Sequence, residues 1–150
     1  MSRESDLGWA AGLLDGEGCI LVTYQKKGVQ GQPRYILQVM VSNTHLPMLE
    51  KFKEIVGIGG IYLNHHRPGT KPCFMWIVTA AKAEQSLRLL RSYLVGKAEQ
   101  ADIGIASRAY VGKRGITRRH GGAPLARGPL DAMRLRLTEL KQQQFKMAAL

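Results

Sequence analysis

Trp9-Ala10-Ala11-Gly12-Leu13-Leu14-Asp15-Gly16-Glu17-Gly18-Cys19-Ile20 is the stretch around which the chain is arranged. Asp6 is a suitable N-cap for a short apolar helix, and Asp15-Gly16-Glu17-Gly18 breaks it. Gly8, Ala11 and Gly12 stand three or four residues apart and share one side. A side with so few atoms lets another helix approach closer than the usual interaxial spacing of about 8–10 Å. Trp9 and Leu13 make a second, bulky side suited to a core. Beyond the helix stand two carboxylates with a glycine between them and another after. Carboxylates and freed backbone carbonyls are the donors that hard divalent ions such as Mg²⁺ select. The stretch therefore offers a tight helix contact at one end and a metal cradle at the other.

Working outward, Cys19 to Lys27 alternates as a half-buried strand does, with Ile20, Val22 and Tyr24 on one face and Leu21, Thr23, Gln25 and Lys27 on the other. Gly28 to Pro33 is a hairpin tip. Arg34 to Ser42 alternates again, Tyr35, Leu37, Val39 and Val41 opposing Arg34, Ile36, Gln38 and Met40. Neither strand carries an acid, so the wet face suits phosphates and bases. Asn43-Thr44 caps a helix to Val56 with Pro47 in its first turn, and Gly57 to Gly60 ends it. A second strand pair runs Ile61–His66 and Cys73–Thr79 around a turn at 67–72. Ala80–Leu94 is an amphipathic helix, Gly96 interrupts, and Lys97–Tyr110 restarts. The stretch 111–128 is basic, rich in glycine and free of acids: a solvated linker or a phosphate-contacting arm. Pro129 opens a last helix, to about residue 147, with a stripe of Leu130, Met133, Leu137, Leu140 and Gln144 that suits a docked terminal helix. Trp76 and Phe74 read as core. The order is that of an α+β fold in a single domain of 150 residues.

Twenty-two Lys and Arg against eleven Asp and Glu leave a net charge of +11, which points to a polyanionic partner, nucleic acid above all. No segment reaches transmembrane length, and the polar start MSRESDLG excludes a secretory signal. Cys19 and Cys73 have no CxxC spacing and suit small reduced residues. The expected location is the cytoplasm or nucleoid, or an organelle matrix, and not the secreted space.

Ala10-Ala11-Gly12-Leu13-Leu14-Asp15-Gly16-Glu17-Gly18 resembles the signature of the LAGLIDADG homing endonucleases. It departs at Ala10 for leucine, at Gly16 for alanine, and at Glu17, which keeps a carboxylate on a longer arm in place of aspartate. The resemblance covers about 6–110 and implies an αββαββα core whose saddle-shaped antiparallel sheet holds DNA. There is one signature and no second copy. Family members with one motif are homodimers, so the resemblance implies a dimer through Gly8, Ala11, Gly12 and Asp15, a roughly palindromic double-stranded target, and Glu17 paired with its mate at the dyad. It makes Glu17 the metal ligand, with the Gly16 carbonyl second. Asp15 could ligate too, although a structural role at the helix junction suits it better. The metal is Mg²⁺, with Mn²⁺ or Ca²⁺ able to fill the site, Ca²⁺ without turnover.

Lys97 matches the lysine that relatives place near the active water. The polar residue at the end of the second strand falls on Val41 or Ser42, and only Ser42 can hold solvent. His45 stands where some relatives carry a basic residue. Thr23, Gln25, Lys27, Arg34 and Gln38 lead the expected DNA contacts, a two-stranded ribbon fitting the major groove, and Asn64, His66, Arg67 and Lys71 follow on the second hairpin. Two rivals stand beside the endonuclease reading. One is a non-cleaving binder on the same scaffold, a maturase or regulator; the other is an unrelated basic RNA-binding protein.

Overall fold

A computed structural model of the chain describes residues 2–26, 34–65, 67–111 and 127–149. Helix α1 spans Arg3–Glu17, followed by β1 (Gly18–Gln25), β2 (Arg34–Asn43), α2 (Leu46–Val56), β3 (Gly60–His65), β4 (Cys73–Thr79), α3 (Ala80–Leu90), α4 (Ala98–Ser107) and α5 (Arg127–Ala148). Short 3₁₀ turns at Arg91–Tyr93 and Arg108–Tyr110 end α3 and α4. The α+β expectation holds, with the boundaries moved. Ser2, not Asp6, caps α1: its hydroxyl accepts from the Ser5 N–H at 3.3 Å, which leaves Glu4 and Asp6 in the first turn, where the helix dipole favours acids. Before α2, the Asn43 side chain accepts from the His45 N–H at 2.8 Å, and His45 becomes the N-cap. The Leu90–Leu94 stretch tightens into a 3₁₀ turn instead of continuing α3.

The strands form one antiparallel sheet in the order β1-β2-β4-β3. Ile20, Val22, Tyr35, Leu37, Val39, Val41, Trp76 and Val78 are buried on one face, as the alternation requires, and the helices cover them. Trp76 meets Phe52 edge to face at 4.7 Å and donates from its indole N–H to the Ile58 carbonyl at 2.9 Å. At Gly18 the chain turns from helix to strand so sharply that a Cβ there would strike the side chain and carbonyl of Leu14.

Gly104 brings α4 onto the sheet. A Cβ there would stand 3.0 Å from the methyl groups of Leu37 and Leu87. Gly104→Leu is therefore expected to cost about 2–3 kcal/mol by overpacking, read as a lower denaturant midpoint with an unchanged slope.

The last helix, α5, closes the outer edge of β1. Leu130 and Leu137 are buried, Asp131 accepts from the Tyr35 hydroxyl at 2.5 Å, and Arg134 donates to the Val22 carbonyl at 3.1 Å. Arg134 also lies 5.7 Å above the Tyr24 ring. No helix among the described residues is long and apolar enough to cross a membrane.

Candidate active site and nucleic-acid face

Helix α1 ends with acids at its electronegative pole. Asp15 and Glu17 stand in the last turn, no basic residue stands with them, and the terminal carbonyls lack intrahelical partners. Such an arrangement needs donors or cations from elsewhere. For Asp15 they come from the segment before α4. Its Oδ2 accepts from the N–H groups of Val95 (2.8 Å) and Gly96 (3.1 Å), and its Oδ1 accepts from Lys97 N–H (2.8 Å). The Lys97 ammonium in turn donates to the Asp15 carbonyl. One carboxylate thus ties the electronegative end of α1 to the electropositive start of α4. Asp15 is engaged within its own chain, in the structural role at the helix junction that suits it; its places as a metal ligand and at a dimer contact remain expectations.

Lys97 is 8% exposed. Burial holds its ammonium below the ordinary lysine value, Asp15 opposes that shift, and the nearby Lys141 charge reinforces it. Lys141 belongs to α5, and sequence reasoning missed it. Gln144, one turn further on, stands on the docking stripe read from the sequence, which gives it no part in the site; it donates to the Gly96 carbonyl at 2.8 Å and accepts from buried Gln100 at 3.3 Å. The terminal helix is thus built into the Lys97 neighbourhood.

Glu17 is exposed and makes no hydrogen bond or ion pair among the described residues. Ser42 follows Val41, the partner of Gly18, so the strand register brings it beside Glu17 at the rim of the sheet. His45 starts α2 three residues later. Glu17 therefore stands between Lys97, held on the Asp15 carbonyl two residues before it, and Ser42, next to it in the strand register.

The open face of the sheet carries Thr23, Gln25, Arg34 and Gln38, as expected. Arg34 donates to the Gln25 side chain across the strands at 2.7 Å, and the Thr23 hydroxyl donates to the Ile36 carbonyl at 3.3 Å. On the second hairpin a bulge between Leu63 and His65 puts His65 opposite Cys73 and leaves Asn64 unpaired. Arg67 and Lys71 are exposed in the turn beyond. Lys27, His66 and the stretch 112–126 lie outside the described residues. Cys19 and Cys73 are free thiols on the strands.

On α1 the open side differs from the one expected. Ala11 is 0% exposed and packs inward with Leu7, Ala10, Leu13 and Leu14, which corrects its expected place at the dimer contact. Gly8, Gly12 and Gly16, spaced four apart, have nothing within 4 Å of where a Cβ would stand. Trp9, expected in the core, is 36% exposed. Each glycine costs a helix about 0.5–1 kcal/mol relative to alanine, and nothing among the described residues of one protomer demands them.

The donor set at the corner fits a hard divalent cation only in part. Glu17 offers an unengaged carboxylate and Gly16 a carbonyl in the last helical turn, while Asp15 is engaged. Among the described residues no three His, Cys, Asp or Glu side chains gather as a ready cation site. A hard cation takes about six oxygens or more, so water or phosphate oxygens would complete the set.

The chain is thus an αββαββα unit with one accessible acidic corner, a lysine near it and an open sheet in a strongly basic sequence. The chain belongs to the LAGLIDADG endonuclease family, whose model matches residues 10–102. It carries a single copy of the motif. Among solved structures it is similar to the homing endonuclease I-CvuI crystallised with the I-CreI target, at 16% identity and a TM-score of 0.64 over 91% of this chain and 96% of that one. An archaeal intron-encoded homing endonuclease complexed with DNA matches at 15% identity and a TM-score of 0.58, over 94% and 99%. The group I intron-encoded I-CeuI, also complexed with DNA, matches at 16% and 0.55, over 70% of this chain and 54% of that one. At these identities the likeness is one of fold. No curated protein sequence matches the chain.

Proposed function

We propose that two copies of this chain form a divalent-metal-dependent endonuclease that cuts both strands of a long, roughly palindromic DNA site. The observation that carries the reading is the pairing of one unengaged carboxylate, Glu17, with an open glycine stripe on the helix that presents it. One protomer holds one acidic corner, and a duplex has two strands to cut. Packing Gly8, Gly12 and Gly16 against their mates places both Glu17 residues at the twofold axis.

Glu17 and the Gly16 carbonyl would hold a divalent cation, which when bound would supply charge neutralisation at the scissile phosphate and a more acidic water. The chain's own groups do the rest. Lys97 holds a positive charge beside the reacting phosphate, Asp15 fixes Lys97, and the Ser42 hydroxyl orders solvent at the rim. The sheet binds the duplex, with Thr23, Gln25, Arg34 and Gln38 toward the groove and Arg67 and Lys71 toward phosphates; the same roles are proposed for Asn64, Lys27 and His66. Mg²⁺ suits this oxygen donor set, Mn²⁺ can replace it, and Ca²⁺ holds the complex uncut. The dimer would act wherever its target DNA lies, in a nucleoid or an organelle matrix.

The test is a supercoiled plasmid library with randomised inserts two helical turns long. Mg²⁺-dependent linear products, isolated and sequenced, should share one near-palindromic site. Specific binding without linear product would make the chain a non-cleaving binder and defeat the proposal.

The dimer makes its own prediction. Gly12→Leu fills space that is open in the protomer, so it should raise thermal stability by about 0.8 kcal/mol through helix propensity. It should also halve the mass seen in sedimentation and stop double-strand cutting. A Gly12→Leu protein that stays dimeric would remove α1 from the interface.

A further inference from the structure

Cross-strand pairing arranges the open face of the sheet in rows that step away from the Glu17 corner. The nearest row is Ser42–Met75–Tyr62, and the next is Cys19–Met40–Ile77–Gly60. Then come Leu21–Gln38–Thr79, Thr23–Ile36 and finally Gln25–Arg34. The outer rows mix polar and apolar groups and end on a hydrogen-bonded Gln25–Arg34 pair. The two inner rows are dominated by Met40, Met75, Ile77 and the Tyr62 ring. Met40, Met75 and Ile77 are half-buried and Tyr62 is 60% exposed. The Tyr62 ring folds back over Gly60, where a Cβ would lie 2.6 Å from its hydroxyl, and so extends the apolar surface to the β3 edge.

An apolar patch flanked by polar rows marks a contact surface. A chain of net charge +11, whose patch continues into the Gln25–Arg34 end of the same face, argues for DNA as the occupant. Thioether and alkyl groups cannot read the donors and acceptors of a base edge. The apolar feature of the major groove is the thymine C5-methyl. Each row advances about 7 Å along the strands, close to two base-pair rises, so the two inner rows face about four base pairs of each half-site.

We infer that Met40, Met75, Ile77 and Tyr62 form a methyl-reading subsite that selects thymine in the base pairs nearest the cut, while hydrogen-bond readout is left to the outer rows. This rests on the proposed DNA endonuclease activity and specifies its substrate further. The flexible Met40 and Met75 side chains can mould to methyl groups on either strand.

The test uses the sequence enriched from the randomised library, bound by the full chain in Ca²⁺. Three duplexes are compared: thymine throughout, deoxyuridine at the inner thymines only, and deoxyuridine at the outer thymines only. The expected result is inner thymines in the enriched sequence, a several-fold loss of affinity for the inner-substituted duplex, and little change for the outer one. In the variants Met40→Ala and Ile77→Ala, whose side chains stand on the open face, the inner penalty should shrink toward one. An enriched site without inner thymine, or an inner substitution that changes nothing, overturns the inference and leaves the endonuclease reading standing. A library that never enriches overturns both. A mass shift caused by Met40→Ala without DNA would make the patch a protein interface and also overturn it.

Discussion

Replacing Glu17 by Gln is expected to lower cleavage by about a thousandfold or more and to leave duplex binding in place. The reason lies in what Glu17 does not do. It is exposed and makes no hydrogen bond or ion pair among the described residues, so the protomer does not need its charge to fold. Glutamine keeps the shape and one oxygen but loses the negative charge that a divalent cation requires. A loss of about 4 kcal/mol of transition-state stabilisation corresponds to roughly a thousandfold in rate. Plasmid linearisation in Mg²⁺, a gel shift in Ca²⁺ and a melting curve read the three quantities separately. A Glu17→Gln protein that still cuts would place the chemistry elsewhere.

Asp15→Asn carries the second large effect, and it strikes both stability and rate. The carboxylate accepts three backbone N–H groups ahead of α4. An amide keeps one acceptor oxygen and turns two N–H donors toward groups that are themselves donors. The expected cost is about 2 kcal/mol, or a fall of roughly 4–8 °C in Tm. The sharper consequence is for Lys97: its backbone N–H is held by the Asp15 carboxylate, while its ammonium rests on the Asp15 main-chain carbonyl, which the amide variant keeps. With the carboxylate's hold on the backbone weakened and its negative charge gone from beside the ammonium, a catalytic Lys97 should lose rate without losing affinity, so kcat falls while KM stays near its original value. A variant with lower Tm but unchanged kcat would make Asp15 a purely structural residue.

The strands were the most legible part of the sequence, because alternation in Ile20–Val22–Tyr24 and Tyr35–Leu37–Val39–Val41 is a local signal with one solution for a half-covered sheet. The α1 motif was legible as chemistry and less so as geometry. A helical repeat says that Gly8 and Gly12 share a side. It does not say which neighbouring arc the rest of the protein takes, and that is why Ala11 turns inward and Gly16 outward. The stripe that includes Gln144 signalled which side of α5 docks, but not against what: the roles of Gln144 and Lys141 depend on residues more than forty positions away. The apolar inner rows were hidden for a related reason: Met40 is visible in β2, but its neighbours Ile77 and Met75 are joined to it only by the β2–β4 register.

The Asp15 hold joins residues eighty or more positions apart in the chain. Contacts that close such long loops form late, after the local helices and hairpins. A polypeptide emerging from the ribosome therefore presents its acidic corner well before the residues that clasp it. A chain stopped ahead of Val95 would lack all three N–H groups that hold the Asp15 carboxylate, so any chemistry that needs both Glu17 and a positioned Lys97 would wait for α4.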